Sequence, residues 1–129
     1  MSESNRNILV AYRMEQAWNA LEEARLLQEA GKTTLGVVNR AYYAMFYALL
    51  ALLQHSGHTP RKHIGAIALF DSEFVKQGLF DKRFSKQLHQ AFNLRQVSDY
   101  HLVEPIDGAQ AEELIDNAAA FIQAINNVL

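Results

Sequence analysis

The run Ala41-Tyr-Tyr-Ala-Met-Phe-Tyr-Ala-Leu-Leu-Ala-Leu-Leu53 contains no charged residue, glycine or proline. It is too short to span a bilayer, which takes about 20 helical residues, so it reads as a buried helix and not as a membrane segment. Extended to about Thr34 and Gln54, that helix is apolar nearly all round, with Arg40 its only charge. Such a helix lies at the centre of a bundle or is shared with a partner chain.

The other segments supply its partners. Val10, Met14, Ala17, Leu21 and Ala24 recur at spacings of four and three, which predicts a helix from about Asn7 to Ala30 with one apolar stripe. Arg13, Gln16, Asn19, Glu22 and Glu23 fall on its wetter side, and Gly31 is a natural stop. After the turn His55-Ser-Gly-His-Thr-Pro60, a shorter helix is expected from His63 to about Lys76, burying Ile64, Ile67, Ala68 and Phe74 and closed by Gly78. Asp81 is placed to cap a fourth helix running to about His101, with Phe84, Leu88, Ala91 and Phe92 on one face and Pro105 beyond its end. Asp107-Gly-Ala-Gln110 has capping-box spacing and opens a last helix. Its stripe is Ala111, Leu114, Ile115, Ala118, Ile122, Ile125 and Leu129.

No strand pattern, internal repeat or linker interrupts this series. With six Gly and two Pro in 129 residues, long helices in one domain, residues 1–129, are expected. The fold class is all-α, an up-and-down bundle of four long helices plus one short helix. A core of this size holds without staples, and the absence of cysteine excludes disulfides and thiolate metal sites. The polar N-terminus lacks the apolar stretch of a signal peptide, and the expected location is the cytoplasm. A formal net charge of -2 offers no global basic field, so contact with RNA or nucleotide has to rest on a local cluster.

One such cluster breaks the pattern of the fourth helix. At about 100° per residue, Phe84 and Phe92 lie within about 40° of Leu88, and Arg95 and Asp99 within about 20°. The core stripe therefore runs straight into an Arg and an Asp, and burying an unpaired charge is costly. Two explanations fit the spacing. One is an i, i+4 ion pair between Arg95 and Asp99. The other is an Arg95 that faces an inter-subunit cleft and binds an anion. His101 sits about 120° from Arg95 on a continuous helix, so the two share no face. Either the helix loosens before Pro105, or each group works opposite its twin in a second subunit.

Other signals carry less. Gly31-Lys-Thr-Thr34 has the tail of a phosphate-binding loop, but Leu26 stands where its first glycine belongs, and a helix precedes it. His55, His58 and His63 lie close in sequence with no Cys or carboxylate among them, which reads as a polar turn and not as a zinc site. Arg61, Lys62 and His63 add positive charge there. Tyr42, Tyr43, Phe46 and Tyr47 read chiefly as core packing. The i, i+3 pair Arg40 and Tyr43 is placed to share a surface on which a base could stack.

Three segments together resemble a known family. Asn39-Arg-Ala-Tyr-Tyr-Ala-Met-Phe-Tyr-Ala48 resembles the second-helix signature of HEPN domains (higher eukaryotes and prokaryotes nucleotide-binding). Arg61-Lys-His-Ile-Gly65 followed by Phe74-Val-Lys-Gln-Gly78 resembles their middle segment. Arg95 to His101 resembles their defining motif, an Arg followed four to six residues later by a His. The resemblance covers about Leu35 to His101. It implies a homodimer in which the two motifs face each other across the seam. It also implies metal-independent endoribonuclease activity, and the toxin role of a toxin–antitoxin pair with a minimal nucleotidyltransferase as partner.

The residues suit that chemistry without a metal or other cofactor. RNA supplies its own 2′-hydroxyl nucleophile. His101 is suited to general acid–base work and Arg95 to stabilising charge on the phosphate. Asp99 would orient Arg95, and Gln96, Tyr100, Arg40 and Tyr43 would contribute to substrate binding. The residue after the Arg is Gln96, where active members often carry a small polar or acidic residue. Val103 stands where one toxin subgroup has a tyrosine that is adenylylated. Arg95, Asp99 and Tyr100 equally match an Arg-x-x-x-Asp-Tyr pattern of members without the His. The alternative is therefore a non-catalytic subunit that binds a nucleotide or docks a nucleotidyltransferase.

Overall fold

The computed structural model describes residues 2–31, 33–100 and 106–129. It contains α1 (Glu3–Ala30), α2 (Leu35–His55), α3 (His63–Phe70), α4 (Lys82–Tyr100) and α5 (Gly108–Asn126). A wider, π-helical turn, Asp71–Val75, continues α3. Among the described residues there is no strand. The architecture is the expected all-α bundle of four long helices and one short one.

Helix α2 is its axis. It packs against α1, α3, α4 and α5, and Ala41, Tyr42, Ala44, Met45, Ala48, Leu49, Ala51 and Leu53 are completely buried. The whole helix, longer than its uninterrupted apolar run, has the length and hydropathy of a membrane span. Its burial among four neighbours gives that apolarity a different cause, a central place in the core.

The stripe of α1 is buried as expected, and Gly31 ends the helix with a left-handed φ of 67°, its N–H donating to the Leu27 and Gln28 carbonyls. The helix starts earlier than its apolar periodicity does, because Ser2 caps it by accepting the Asn5 N–H at 3.2 Å. Two expectations for α3 are corrected. Ile64 and Ala68 lie on its exposed face, and Ala66, Ile67 and Phe70 form the buried one. Leu129 lies beyond α5 and is exposed, whereas Phe121, outside the expected stripe, is fully buried.

The capping box of α5 is complete. Asp107 Oδ1 accepts the Gln110 N–H at 2.8 Å, and Gln110 Oε1 accepts the Asp107 N–H at 2.9 Å. Just ahead of it, the buried Thr34 hydroxyl donates to the Ile106 carbonyl at 2.9 Å, tying the start of α2 to that of α5. Asp107→Ala removes one half of the box and is expected to cost about 1 kcal/mol. Urea unfolding should show a lower midpoint with an unchanged slope.

Candidate functional site

Adjacent tyrosines of α2 form the floor of the site. Tyr42 points into the core and is fully buried, whereas Tyr43, one residue on, is only half-buried. Their rings meet edge to face with centroids 5.3 Å apart. Helix α4 passes over them and brings Arg95, whose guanidinium carbon lies 5.4 Å from the Tyr43 ring centre and 5.8 Å from that of Tyr42. Arg95 Nη2 also donates to the Tyr43 hydroxyl at 3.1 Å.

Burial along α4 grades outwards along the Leu88 stripe. Leu88 and Ala91 are fully buried, Phe92 is half-buried, and the Arg95 side chain is 25% exposed. The i, i+4 pair exists: Arg95 Nε lies 3.2 Å from Asp99 Oδ2. That nitrogen is nevertheless buried without an aligned hydrogen-bond acceptor. The contact is thus an ion pair by distance and not a directed hydrogen bond. With Asp99 46% exposed, such a pair contributes under about 1 kcal/mol.

A second guanidinium reaches the same tyrosine. Arg40 lies 5.3 Å from the Tyr43 ring centre. It is held by Asn39 Oδ1, which accepts from Nε at 2.9 Å and Nη2 at 2.8 Å, and by Glu23 Oε1 at 3.4 Å. Two guanidinium groups thus meet on one ring, each with a carboxylate beside it, Glu23 for Arg40 and Asp99 for Arg95.

The structure adds a residue that spacing alone assigns to a polar turn. His63, at the start of α3, stacks on Phe46 with centroids 3.9 Å apart and planes 7° from parallel. Its Nδ1 lies 2.6 Å from the Tyr42 hydroxyl. Burial, and then the nearby positive charge of Arg95, hold the His63 imidazole below its ordinary pKa. Burial also pushes the Tyr42 phenol up, against the pull of Arg95. Both groups are therefore neutral near pH 7, and they share one hydrogen bond whose donor is either the Tyr42 O–H or an Nδ1–H. No periodicity links residue 63 to residue 95, and only the closure of α3 and α4 on α2 brings them together. The signal in the sequence was the Arg61-Lys-His-Ile-Gly65 segment itself.

Of the other expected site residues, Gln96 is exposed and Tyr100 is 86% exposed at the end of α4. His101 and Val103 lie outside the described residues, as does Pro105. Arg40, Tyr43, Arg95 and Asp99 are brought together, and Tyr42 and His63 join them.

Comparison with known proteins finds relatives that span most of the chain. A Thermotoga maritima protein named "UPF0332 protein" is 32% identical over 121 residues, which cover 94% of this chain and 91% of that protein. A Methanocaldococcus jannaschii protein named "Putative toxin MJ0605" is 34% identical over 116 residues, covering 90% and 85%. A second protein of that organism, "Putative toxin MJ0142", is 34% identical over 92 residues, covering 71% and 63%. The profile of the HEPN domain matches residues 10–128, nearly the whole bundle and all of the Arg95 cluster, and the chain belongs to the HEPN domain family.

Proposed function

We propose that the chain is a HEPN-type, metal-independent endoribonuclease acting as the toxin of a toxin–antitoxin pair, with a minimal nucleotidyltransferase as its partner. The observation that carries the proposal is Arg95. Its side chain is three-quarters buried where a core residue would stand, yet among the described residues only one of its N–H groups makes a directed hydrogen bond. A cation held with donors to spare is arranged for an anionic ligand. The toxin names of two relatives support the cellular role.

The reaction needs no outside nucleophile. The RNA 2′-oxygen bonds to the adjacent phosphorus as the bond to the 5′-oxygen breaks, leaving a 2′,3′-cyclic phosphate and a 5′-hydroxyl. His101 takes the 2′-hydroxyl proton or supplies one to the leaving oxygen, while Arg95 stabilises the charge growing on the phosphate. Two copies of the chain meet along α4 with their Arg95 clusters facing. The exposed Val97 and Tyr100, 43% and 86% accessible, are the apolar groups that such a seam would cover. The work is done in the cytoplasm.

The second reading, a subunit that binds without cutting, is favoured by the Arg95–Asp99 pair, which matches the Arg-x-x-x-Asp-Tyr pattern. One experiment separates the two. Purified protein incubated with single-stranded RNA in EDTA is expected to give fragments ending in 2′,3′-cyclic phosphate, and His101→Ala protein none. Binding without cutting favours the second reading, and neither binding nor cutting refutes both.

A further inference from the structure

His63 has one ring nitrogen committed and the other free to act. Nδ1 is bonded to the Tyr42 hydroxyl at 2.6 Å, and no hydrogen bond from Nε2 joins it to another described residue. With the Tyr42 O–H as donor of that bond, the neutral ring carries its proton on Nε2. The ring is also fixed in direction, packed nearly parallel to Phe46 on one side and at 22° to Tyr42. Fixed donors cost little to bring to a ligand, because their orientation is set before it arrives. The ring is half-buried and thus reachable from solvent. It sits 5.8 and 5.9 Å, centre to centre, from the same two tyrosines that Arg95 overlies.

We propose that His63 is a second ligand-contacting group of the Arg95 site, its Nε2–H donating to a phosphate oxygen of the ligand whose charge Arg95 balances. Tyr42 is the positioning residue that fixes the tautomer. The inference rests on the anion-binding reading of Arg95. A neutral donor beside that cation adds direction without adding a second charge to be buried, which suits a site that already gathers two guanidinium groups. A backbone phosphodiester and the phosphate of a free nucleotide offer the same oxygens, so the test carries both.

The probes are a 2′-O-methyl RNA oligonucleotide, which cannot be cut, and adenosine monophosphate. The Tyr42→Phe/His63→Phe double variant removes both members of the hydrogen bond and keeps the ring stack, so no buried hydroxyl is left unpaired. It is expected to fold and to bind the RNA about tenfold more weakly or worse, the loss of one hydrogen bond to a charged group. His63→Gln, which restores an N–H donor, should recover part of that affinity. In histidine-selective 15N spectra, wild-type His63 should show the neutral Nε2–H form, and Nε2 should shift on adding the probe that binds. A shift with RNA alone identifies the phosphodiester as the ligand, and a shift with adenosine monophosphate alone identifies the nucleotide. Wild-type affinity in the folded double variant, or an Nε2 signal that neither probe moves, overturns the proposal. Arg95→Met keeps the two failures apart. If Arg95→Met loses RNA binding and the double variant does not, only the role of His63 falls. If neither variant loses it, the anion-site reading falls as well.

Discussion

Arg95→Met is expected to lower RNA cleavage by about 10²–10³-fold, the usual cost of removing one donor that stabilises transition-state charge. The same change should leave stability within about 1 kcal/mol of the wild type. The two expectations have one source. Methionine keeps the aliphatic stem that packs over Tyr42 and Tyr43 and discards only the charged head. What the head gives the fold is modest: ring contacts at 5.4 and 5.8 Å, a hydrogen bond to the half-buried Tyr43, and an unaligned pair with the 46% exposed Asp99. What it costs the fold is a partly desolvated cation with a buried Nε that lacks an aligned acceptor. These nearly cancel, so the fold gains little from the charge of Arg95, which accords with the anion-binding role proposed for it. Single-turnover cleavage and thermal unfolding of the same preparations check both halves. A loss of several kcal/mol with cleavage falling only in proportion to the folded fraction would make Arg95 a structural residue.

The parts of this site that sequence makes legible are those that follow from geometry along one helix. Arg95 and Asp99 continue the Leu88 stripe and pair at i, i+4, and Arg40 and Tyr43 meet at i, i+3. Asp107 and Gln110 announce their capping box in the same way, and the run from Ala41 to Leu53 announces the central helix by leaving no polar face. Periodicity fails where a segment is too short or too uniformly apolar to have a phase. In α3, Ile64, Ala66, Ile67, Ala68 and Phe70 surround a helix of eight residues, so spacing alone cannot choose the buried face, and Ile64 is left outside at 68% exposure. Phe121 escapes notice among the alanines of α5 for the same reason. The first turn of α1 escapes because it is polar and solvated, and its only advertisement is the Ser2 cap. The Tyr42–His63 bond is of another kind: it joins residues on different helices, and only packing makes it.

Phe121→Ala is expected to destabilise the protein by about 3–5 kcal/mol, a large share of the roughly 5–15 kcal/mol that holds a domain together. The ring is fully buried, with centroids 5.4 Å from Phe70 on α3 and 6.1 Å from Phe84 on α4. Phe80, between α3 and α4, extends the cluster, 5.3 Å from Phe70 and 6.3 Å from Phe84. Truncation leaves a cavity that α3, α4 and α5 share, and rings packed edge to face collapse poorly into such a space. Phe121→Leu, which keeps most of the volume, should cost under about 1.5 kcal/mol. Helix α3 is pinned at two ends, by Phe70 in this cluster and by His63 against Tyr42 and Phe46. Removing Phe121 releases the first end and leaves the second in place. Well below its lowered melting temperature, the Phe121→Ala protein should therefore keep cleavage within a few-fold of wild type, the reverse of the Arg95→Met profile. Urea unfolding measures the stability, and cleavage at low temperature measures the site. If the two fall together in the still-folded variant, the Arg95 cluster is set by the phenylalanine end of α3, and the second pin at His63 does not hold on its own.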